Sequence, residues 1–292
     1  MLDTINASTL QSIEMPKIIY GTAWKKEKTT ELVVQAVKEG FSAIDTACQP
    51  KHYAEALVGE ALRELDCMGI KRDTLFIQTK FTPLSGQAPN AIPYDEHASL
   101  KEQVFQSFQT SKKNLQTRYI DAWLLHSPLF PFKELMTAWH AMEERYLRQE
   151  VLQLGISNCY DLNLLKRLYE EADVKPSIVQ NRFYRESDYD SELRAWCKTH
   201  QIRYQSFWSL TANPNLLGSR TIIKLAQKYD KNEAQILFAY LVSQGIAPLS
   251  GTTSQVHMRE DLEAVELKLE KGEIASITSL VESSISYSQK PF

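Results

Sequence analysis

The sequence predicts one domain of the α/β class, a (β/α)8 or TIM barrel, and three observations lead to this prediction. Eight short apolar runs rich in β-branched residues are spread along the 292 residues, with helical patterns between them. Regular alternation of strand and helix indicates right-handed βαβ units and a parallel sheet, and eight units are enough to close it. The turn after the first run reads AWKKEKTT, whereas an open doubly wound sheet usually carries a GxGxxG turn there.

The predicted elements follow the chain in order. The strands are 18–24, 41–47, 74–80, 120–127, 151–157, 177–183, 203–209 and 246–251. The helices cover about 30–39, 54–66, 98–115, 132–147, 161–171, 190–200, 218–229 and 232–244. In the first helix Leu32, Val33, Ala36 and Val37 share one face, and Gly40 follows where a helix commonly ends. The longest irregular stretch, 81–97, follows the third strand, where the loops of a barrel help to build an active site.

The chain is predicted to form one domain over residues 1–292. It has 10 glycines and contains no Pro/Gly/Ser-rich linker and no break in composition. We expect the barrel itself to span about 16–282 and to be followed by a short C-terminal tail from about 284.

Composition excludes several classes of function. The net charge of -3 arises from 33 basic and 36 acidic residues scattered along the chain, so no cationic stripe is present to bind nucleic acid. The four cysteines are widely spaced without a CxxC pair, which argues against a zinc site or a disulfide framework and favours a reducing compartment. No secretory signal pattern and no apolar run of roughly 18 residues is present. We therefore expect a cytoplasmic protein with no membrane or nucleic-acid partner and no bound metal.

Four polar side chains stand where catalytic groups of a barrel are found, at the carboxyl ends of strands. Asp45 ends the second predicted strand, Lys80 the third and His126 the fourth, and Tyr53 lies on the loop after Asp45. Each alone has an ordinary structural explanation: a cap, a solvated rim residue, a histidine in a turn, or an aromatic ring over the barrel mouth. Together, at one rim, they indicate proton transfer to a substrate oxygen.

The chemistry that suits this set is reduction of a carbonyl group. A carbonyl that accepts hydride becomes an alkoxide and needs an acid. A free tyrosine, with a pKa near 10, is a weak acid, and a nearby ammonium is expected to lower the pKa of the Tyr53 phenol. A buried Asp45 would hold Lys80 in place, and His126 would donate a hydrogen bond that orients the carbonyl oxygen.

The chain resembles the aldo-keto reductase family from about residue 16 to 282. The resemblance is carried by GFSAIDTA, HYAEALVGEAL, FIQTK, IDAWLLHSP, LGISN and IVQNRF, which occur in the family's order. It implies the barrel fold, NADP-linked carbonyl reduction, and Asp45, Tyr53, Lys80 and His126 as the catalytic tetrad.

The loop that carries the tyrosine departs from the family pattern. Asp45 and Tyr53 are eight residues apart instead of five, and CQPKH occupies the longer loop. Tyr53 keeps its distance of six residues from Gly59 in the following helix. We therefore expect Tyr53 to be the acid and the neighbouring His52 to be a loop residue that points elsewhere.

The resemblance also implies a nicotinamide site, with NADPH or NADP+ as the expected cofactor and NADH as the alternative. Ser157, Asn158 and Gln180 would hydrogen-bond the carboxamide, and Phe207, with Trp208 next to it, would stack on the ring. The full implied cofactor set is Thr22, Asp45, Ser157, Asn158, Gln180, Phe207, Trp208, Leu210, Ser250, Gly251, Thr252, Thr253, His257 and Asp261.

The segment after the eighth strand lacks the lysine and arginine with which many family members bind the 2′-phosphate of NADP. It reads PLSGTTSQVHMREDL, and His257 aligns with the arginine. Ser250, Thr252 and Thr253, with the backbone N–H groups of a helix that begins after Ser254, could bind an anion instead.

The expected substrate is a small molecule with a carbonyl group, bound in an apolar pocket formed by Trp24, Phe81 and Leu129 beside Tyr53 and His126. The expected assembly is a monomer or a weak homo-oligomer. Two alternatives remain: an NADP(H)-binding sensor or regulatory barrel with little turnover, and a metal-dependent hydrolase. The hydrolase would need several metal ligands at strand ends, whereas only one of the six histidines ends a strand.

Overall fold

The computed structural model describes residues 15–286 and contains a closed barrel of eight parallel strands. The strands pair in chain order, and the eighth pairs with the first. They are β1 (Ile19–Gly21), β2 (Ala43–Asp45), β3 (Phe76–Phe81), β4 (Ile120–Leu125), β5 (Val151–Ser157), β6 (Ile178–Arg182), β7 (Arg203–Phe207) and β8 (Ile246–Ser250). The predicted fold class, a (β/α)8 barrel of one domain, is confirmed.

Eleven α-helices accompany the strands within these residues. They are α1 (Thr29–Glu39), α2 (Glu55–Cys67), α3 (Leu100–Leu115), α4 (Phe132–Leu147), α5 (Leu162–Glu171), α6 (Ser191–Thr199), α7 (Pro214–Leu217), α8 (Arg220–Tyr229), α9 (Glu233–Ser243), α10 (Gln255–Ala264) and α11 (Lys271–Ser286). None of the helices in residues 15–286 is both long and apolar enough to cross a bilayer.

Side-chain caps fix where several helices begin. Ser99, Asp161, Ser219 and Ser254 each accept a hydrogen bond from a backbone N–H in the first turn of the helix that follows. Asn232 forms a reciprocal capping box with Gln235 at the start of α9. The predicted cap at Ser254 is among those observed.

Two helices were not predicted. The four-residue α7 is too short to produce a periodic pattern. Helix α11 is rich in serine, a weak helix former, and among its residues up to Ser283 Ile277 and Val281 are the buried apolar ones. The predicted tail from about 284 overlaps the end of α11 and otherwise lies outside the described residues.

Alternation along the strands divides the barrel interior into layers. Ile19, Ala43, Phe76, Ala122, Leu124, Ile178 and Ala247 form an apolar cluster together with Met15. Moving up two residues along β2, β3 and β6 leads to Asp45, Gln78 and Gln180, which are all buried. The next residue of that inward row on β3 is Lys80, so the strand carries its polar groups on top of an apolar floor.

Candidate active site

The barrel interior holds a buried ion pair. The ammonium of Lys80 donates hydrogen bonds to both carboxylate oxygens of Asp45, at 2.7 and 2.6 Å, and to the carbonyl oxygen of Thr46 at 2.9 Å. Both side chains are almost fully buried. Burial lowers the pKa of Lys80, and the adjacent Asp45 carboxylate counteracts that change. All three protons of the ammonium have acceptors, so Lys80 affects its other neighbours by its charge.

Three glutamine side chains complete this polar layer. Gln78 and Gln180 donate to Asp45 Oδ1 at 2.6 and 3.0 Å. Gln205, from β7, accepts from both amides and donates back to Gln78 at 2.8 Å. The Asp45 carboxylate is therefore held directly from β3 and β6, and indirectly from β7 through Gln205, which fixes the Lys80 position against it.

Tyr53 stands above this layer because of the turn that precedes it. The carbonyl oxygen of Gln49 accepts from the N–H groups of both His52 and Tyr53, at 3.2 and 3.1 Å. The longer loop is thus taken up in a compact turn. The Lys80 nitrogen lies 5.2 Å from the centre of the Tyr53 ring, as expected from the spacing to the next helix.

The start of α2 is anchored by Glu55, two residues beyond Tyr53. This buried carboxylate accepts hydrogen bonds from Thr79, from Ser111 at 3.0 Å and from Asn114 at 2.9 Å. Gly59, one turn further on, permits α2 to approach α3 closely, since a Cβ at this position would lie 2.0 Å from the Asn114 carbonyl oxygen. Glu55 and Gly59 therefore position the turn that carries Tyr53.

His126 faces Tyr53 across the barrel, with 6.0 Å between the ring centres. Its Nδ1 atom lies 2.6 Å from the hydroxyl oxygen of Thr82. Burial, together with the Lys80 charge, lowers the pKa of His126 well below its ordinary value, so the imidazole is neutral near pH 7. If the Thr82 hydroxyl donates to Nδ1, the single proton of the ring is on Nε2 and available for a ligand.

The direction of the Tyr53 pKa differs from the sequence-based expectation. Burial raises the pKa of the Tyr53 phenol above its ordinary value, and the Asp45 carboxylate raises it further. The expected lowering by Lys80 does not prevail because Asp45 contacts the same ammonium through both oxygens. Tyr53 is accordingly protonated at neutral pH.

A cavity of about 1490 Å³ opens above these groups. This volume exceeds the roughly 300–1,000 Å³ of a usual single-ligand pocket. The predicted site residues that line it are Trp24, Asp45, Tyr53, His126, Ser157, Asn158, Gln180, Phe207, Trp208, Leu210, Ser250, Gly251, Thr252, His257 and Asp261.

Five predicted residues do not line the cavity. Lys80 lies directly beneath it, bonded to Asp45. The Thr22 hydroxyl donates a hydrogen bond to the Asp45 carbonyl oxygen at 2.9 Å, and Thr253 is exposed and lies outside the cavity. Phe81 and Leu129 pack into the core, Phe81 against Tyr94 with ring centres 5.9 Å apart.

The assignment of Phe81 to the substrate pocket is therefore corrected, whereas that of Leu129, which is half-buried, stays a prediction. Lys80 and Phe81 are consecutive strand residues and face opposite sides of the sheet, so an inward Lys80 requires an outward Phe81. Thr22 and Thr253 are not among the residues that line the cavity, and their assignment to cofactor contacts stays a prediction.

The residues expected at the nicotinamide are grouped on the ends of β5, β6 and β7. Asn158 donates from its side-chain amide to the His126 carbonyl oxygen at 2.9 Å, and its backbone has a φ of 54°. Ser157 donates to the Gln180 carbonyl oxygen at 2.7 Å. Phe207 lies beside them, half-buried, with one face of the cavity formed by its ring.

The far end of the cavity carries a buried aspartate and a buried lysine. Asp261 accepts a hydrogen bond from the Ser250 hydroxyl at 2.6 Å, and burial raises the pKa of its carboxyl group to about 6. Lys25, from the loop after β1, is 8% exposed and donates to the Gly251 carbonyl oxygen. Within residues 15–286 its ammonium has no carboxylate partner, and burial lowers the pKa of Lys25.

His52 also borders the cavity, contrary to the expectation that it points elsewhere. Its ring lies against Trp24, with 4.0 Å between ring centres. Burial and the neighbouring Lys51 lower the pKa of His52. Trp24 is 58% exposed, so this pair forms the outer rim on the side of Tyr53.

Several residues of the cavity and of the polar layer beneath it were missed by sequence reasoning. Thr82, Arg182 and Gln78 each lie two residues from a predicted site residue on the same strand or its extension, so alternation could have found them. Lys25 directly follows the predicted Trp24. Gln205 also lies two residues before the predicted Phe207 on β7, so alternation points to it, but its bonding to the Asp45 layer depends on contacts with β3 and β6.

One group of possible metal ligands occurs within residues 15–286, and it is not in the cavity. It consists of His140, Glu143 and Asp173, near α4. Glu143 already bonds to His140 and to the Val174 N–H.

Comparisons with known proteins agree with this geometry. Residues 17–282 match the family model described as the aldo/keto reductase family. Methylglyoxal reductase DkgA of Yersinia pestis is 29% identical over 91% of this chain and 89% of its own length. Glyoxal reductase of Bacillus subtilis is 27% identical over 92% of this chain and 90% of its own length. An aldo-keto reductase from a Medee basin deep-sea metagenome library superposes with a TM-score of 0.80 at 26% identity, covering 97% of this chain and 95% of that one.

Proposed function

Because the chain belongs to the aldo/keto reductase family, we propose that it reduces aldehyde or ketone groups of small molecules with a nicotinamide cofactor, and that Tyr53 is the proton donor. The observation that carries this proposal is the position of Tyr53, 5.2 Å from the buried Lys80 ammonium and opposite His126 at the floor of one cavity. The relatives named as glyoxal and methylglyoxal reductases support small aldehydes as test substrates.

The cofactor, when bound, supplies hydride to the carbonyl carbon. The C=O π bond then breaks toward oxygen, and the oxygen takes a proton from the Tyr53 hydroxyl. His126, with its proton on Nε2, donates a hydrogen bond that orients this oxygen before transfer. The Lys80 charge favours the phenolate that is left, and Asp45 keeps the ammonium in position.

We further propose NADP(H) as the cofactor and Ser157, Asn158, Gln180 and Phe207 as its nicotinamide contacts. A phosphate at the far end would find the Lys25 ammonium, which has no carboxylate partner in residues 15–286, and His257 at the rim. A fixed cation in a partly desolvated site favours phosphate. Lys25 thus supplies a positive charge from the β1 side, whereas Arg259 in the segment after β8 is paired with Glu39.

The assignment of the acid is tested by comparing Tyr53→Phe with its neighbour variant His52→Ala. Loss of the phenolic proton should reduce the initial rate with methylglyoxal by roughly 10²–10⁴-fold while NADPH still binds. His52→Ala should retain most of the rate, because His52 packs against Trp24 at the rim. The reverse ranking, measured at saturating cofactor, would transfer the acid role to His52.

A barrel that only senses NADP(H) would give a different result in the same assay. It would bind NADPH tightly and show no absorbance loss with any carbonyl compound above background.

We propose a cytoplasmic location as well, which the four free cysteines of this structure support.

A further inference from the structure

Arg182 is a cation of the cavity that the reaction described above does not use. It is the third inward residue of β6, after Ile178 in the apolar floor and Gln180 in the polar layer. A strand rises about 3.3 Å per residue, so Arg182 stands roughly 7 Å above Gln180, over the catalytic layer. Its side chain lines the cavity.

Two aromatic rings hold the guanidinium. Its central carbon lies 4.3 Å from the centre of the Trp208 ring and 5.0 Å from that of Tyr184. Tyr184 is held in turn by an edge contact with Tyr160, whose hydroxyl accepts from the backbone N–H of Arg182 at 3.1 Å. The planar group is thereby fixed before a ligand arrives, with its edges left for hydrogen bonds.

Arg182 is half-buried, and its Nε atom is screened from solvent and has no hydrogen-bond partner among residues 15–286. No carboxylate within those residues forms an ion pair with the guanidinium, whose contacts are with the Trp208 and Tyr184 rings. A donor that is screened from water and has no acceptor is costly, because it has lost its hydration without gaining a hydrogen bond. An anion of two or three oxygens in the cavity would supply the missing acceptors in the geometry that guanidinium prefers.

We propose that Arg182 binds an anionic group of the substrate, so that the preferred substrates are carbonyl compounds that also carry a carboxylate or phosphate. This inference rests on the proposed function and specifies its substrate class. The position of Arg182 above Gln180, in the cavity that Tyr53 and His126 also line, suits a substrate whose carbonyl reaches those groups while its anionic end remains higher in the cavity. A cofactor phosphate is the other source of the same chemistry, and the experiment separates the two.

The test compares para-carboxybenzaldehyde with its methyl ester at saturating NADPH. Arg182→Gln should raise KM for the carboxylate by about 10–100-fold, the effect of losing one or two charge-assisted hydrogen bonds, with little change in kcat. The ester should be reduced equally well by both proteins. Arg182→Lys, which keeps the charge without the planar fork, should fall between them.

Arg185→Gln is the matched control, because Arg185 lies three residues after Arg182, in the segment that follows β6, and does not line the cavity. This variant should change the KM and kcat of neither substrate. Calorimetric titration of benzoate and of neutral benzamide into the protein saturated with NADP+ gives a readout that needs no turnover. Benzoate should bind more tightly than benzamide to the wild type, and Arg182→Gln should abolish the difference.

Two results would overturn the proposal. If Arg182→Gln raises the Kd for NADPH and slows both substrates alike, the anion is a cofactor phosphate. If neither the carboxylate preference nor benzoate binding changes, Arg182 is not an anion site. Should the wild type bind NADPH and reduce neither substrate, the proposed reductase function fails, and the benzoate titration still decides the role of Arg182.

Discussion

Lys80 is a residue whose environment determines what it can do. Its three protons are directed at Asp45 and the Thr46 carbonyl, below the cavity. It therefore acts on the Tyr53 ring 5.2 Å away through its charge and not through a hydrogen bond. The same contacts couple catalysis to stability at this position, since removal of either partner leaves the other buried and unpaired.

Lys80→Met is expected to lower the reductase rate by roughly 100-fold or more, because the phenolate left by proton transfer loses its nearest cation. It should also lower the free energy of unfolding by about 3–5 kcal/mol, because Asp45 loses its ion-pair partner. Steady-state kinetics and urea unfolding measure the two effects. The double variant Asp45→Asn with Lys80→Met should recover stability and stay slow; recovery of the rate as well would contradict a charge role for Lys80.

The charge of Lys25 is expected to contribute to the affinity for the cofactor. Lys25→Met should raise the Kd for NADPH by about 10–100-fold, the effect of losing a charge-assisted hydrogen bond to phosphate. The Kd for NADH should change much less, because Lys25 lies beside Gly251 at the end of the cavity proposed for the 2′-phosphate. Lys26→Met, at an exposed neighbour, is the control. Equal affinities for NADPH in the two variants would exclude Lys25 from the phosphate site.

At the scale of elements, the contact between α2 and α3 positions Tyr53. Glu55 ties the first turn of α2 to β3 and α3, and Gly59 permits the close approach of the two helices. The YxExxVG spacing therefore has a packing reason: the tyrosine, the buried acid and the glycine belong to one helix start. The turn inserted before it lengthens the loop without displacing that start.

Gly59→Ala should destabilise the protein by about 1–3 kcal/mol, because the added Cβ would meet the Asn114 carbonyl oxygen at 2.0 Å and the helices must separate. Since the start of α2 would shift with it, the reductase rate should fall as well. Gly272→Ala is the control: nothing lies within 4 Å of its added Cβ, and alanine favours the helix by up to about 1 kcal/mol. Urea unfolding that finds the two variants equally stable would refute the close-contact explanation.

At the scale of the whole molecule, buried titratable groups around the cavity make stability depend on pH. Asp261 is 5% exposed, and burial raises the pKa of its carboxyl group to about 6 from an ordinary value of 3.8. A raised pKa means that the folded protein holds this proton more tightly than the unfolded chain. The associated stability is complete below about pH 4 and is lost as the pH rises through about 6.

Asp261→Asn removes this loss, since the amide oxygen can still accept from Ser250 and does not ionise. From pH 4.5 to pH 7.5, the free energy of unfolding of the variant should rise by about 1–3 kcal/mol relative to that of the wild type, as two pKa units allow. Urea unfolding at the two pH values measures the gain. Asp173→Asn, at an exposed position, should show no such gain; a variant of Asp261 whose relative stability is independent of pH would contradict the assignment.

The sequence alone determined the order of the elements, the closed barrel and the strand ends that carry Asp45, Lys80 and His126. These follow from local patterns, because apolar runs and helix signals recur at the same spacing and eight parallel strands close on themselves. Alternation along a strand also predicts the positions of Arg182 and Thr82 in the cavity and of Phe81 in the core.

The tertiary structure decided what depends on groups far apart in the chain. Gln205 joins the Asp45 layer through contacts with Gln78, 127 residues away, and Lys25 reaches Gly251 across the seam between β1 and β8. The direction of the Tyr53 pKa required the burial of the phenol and the full pairing of Lys80 with Asp45. Burial and electrostatics sum over all neighbours in space, whereas a sequence pattern reports only the neighbours along the chain.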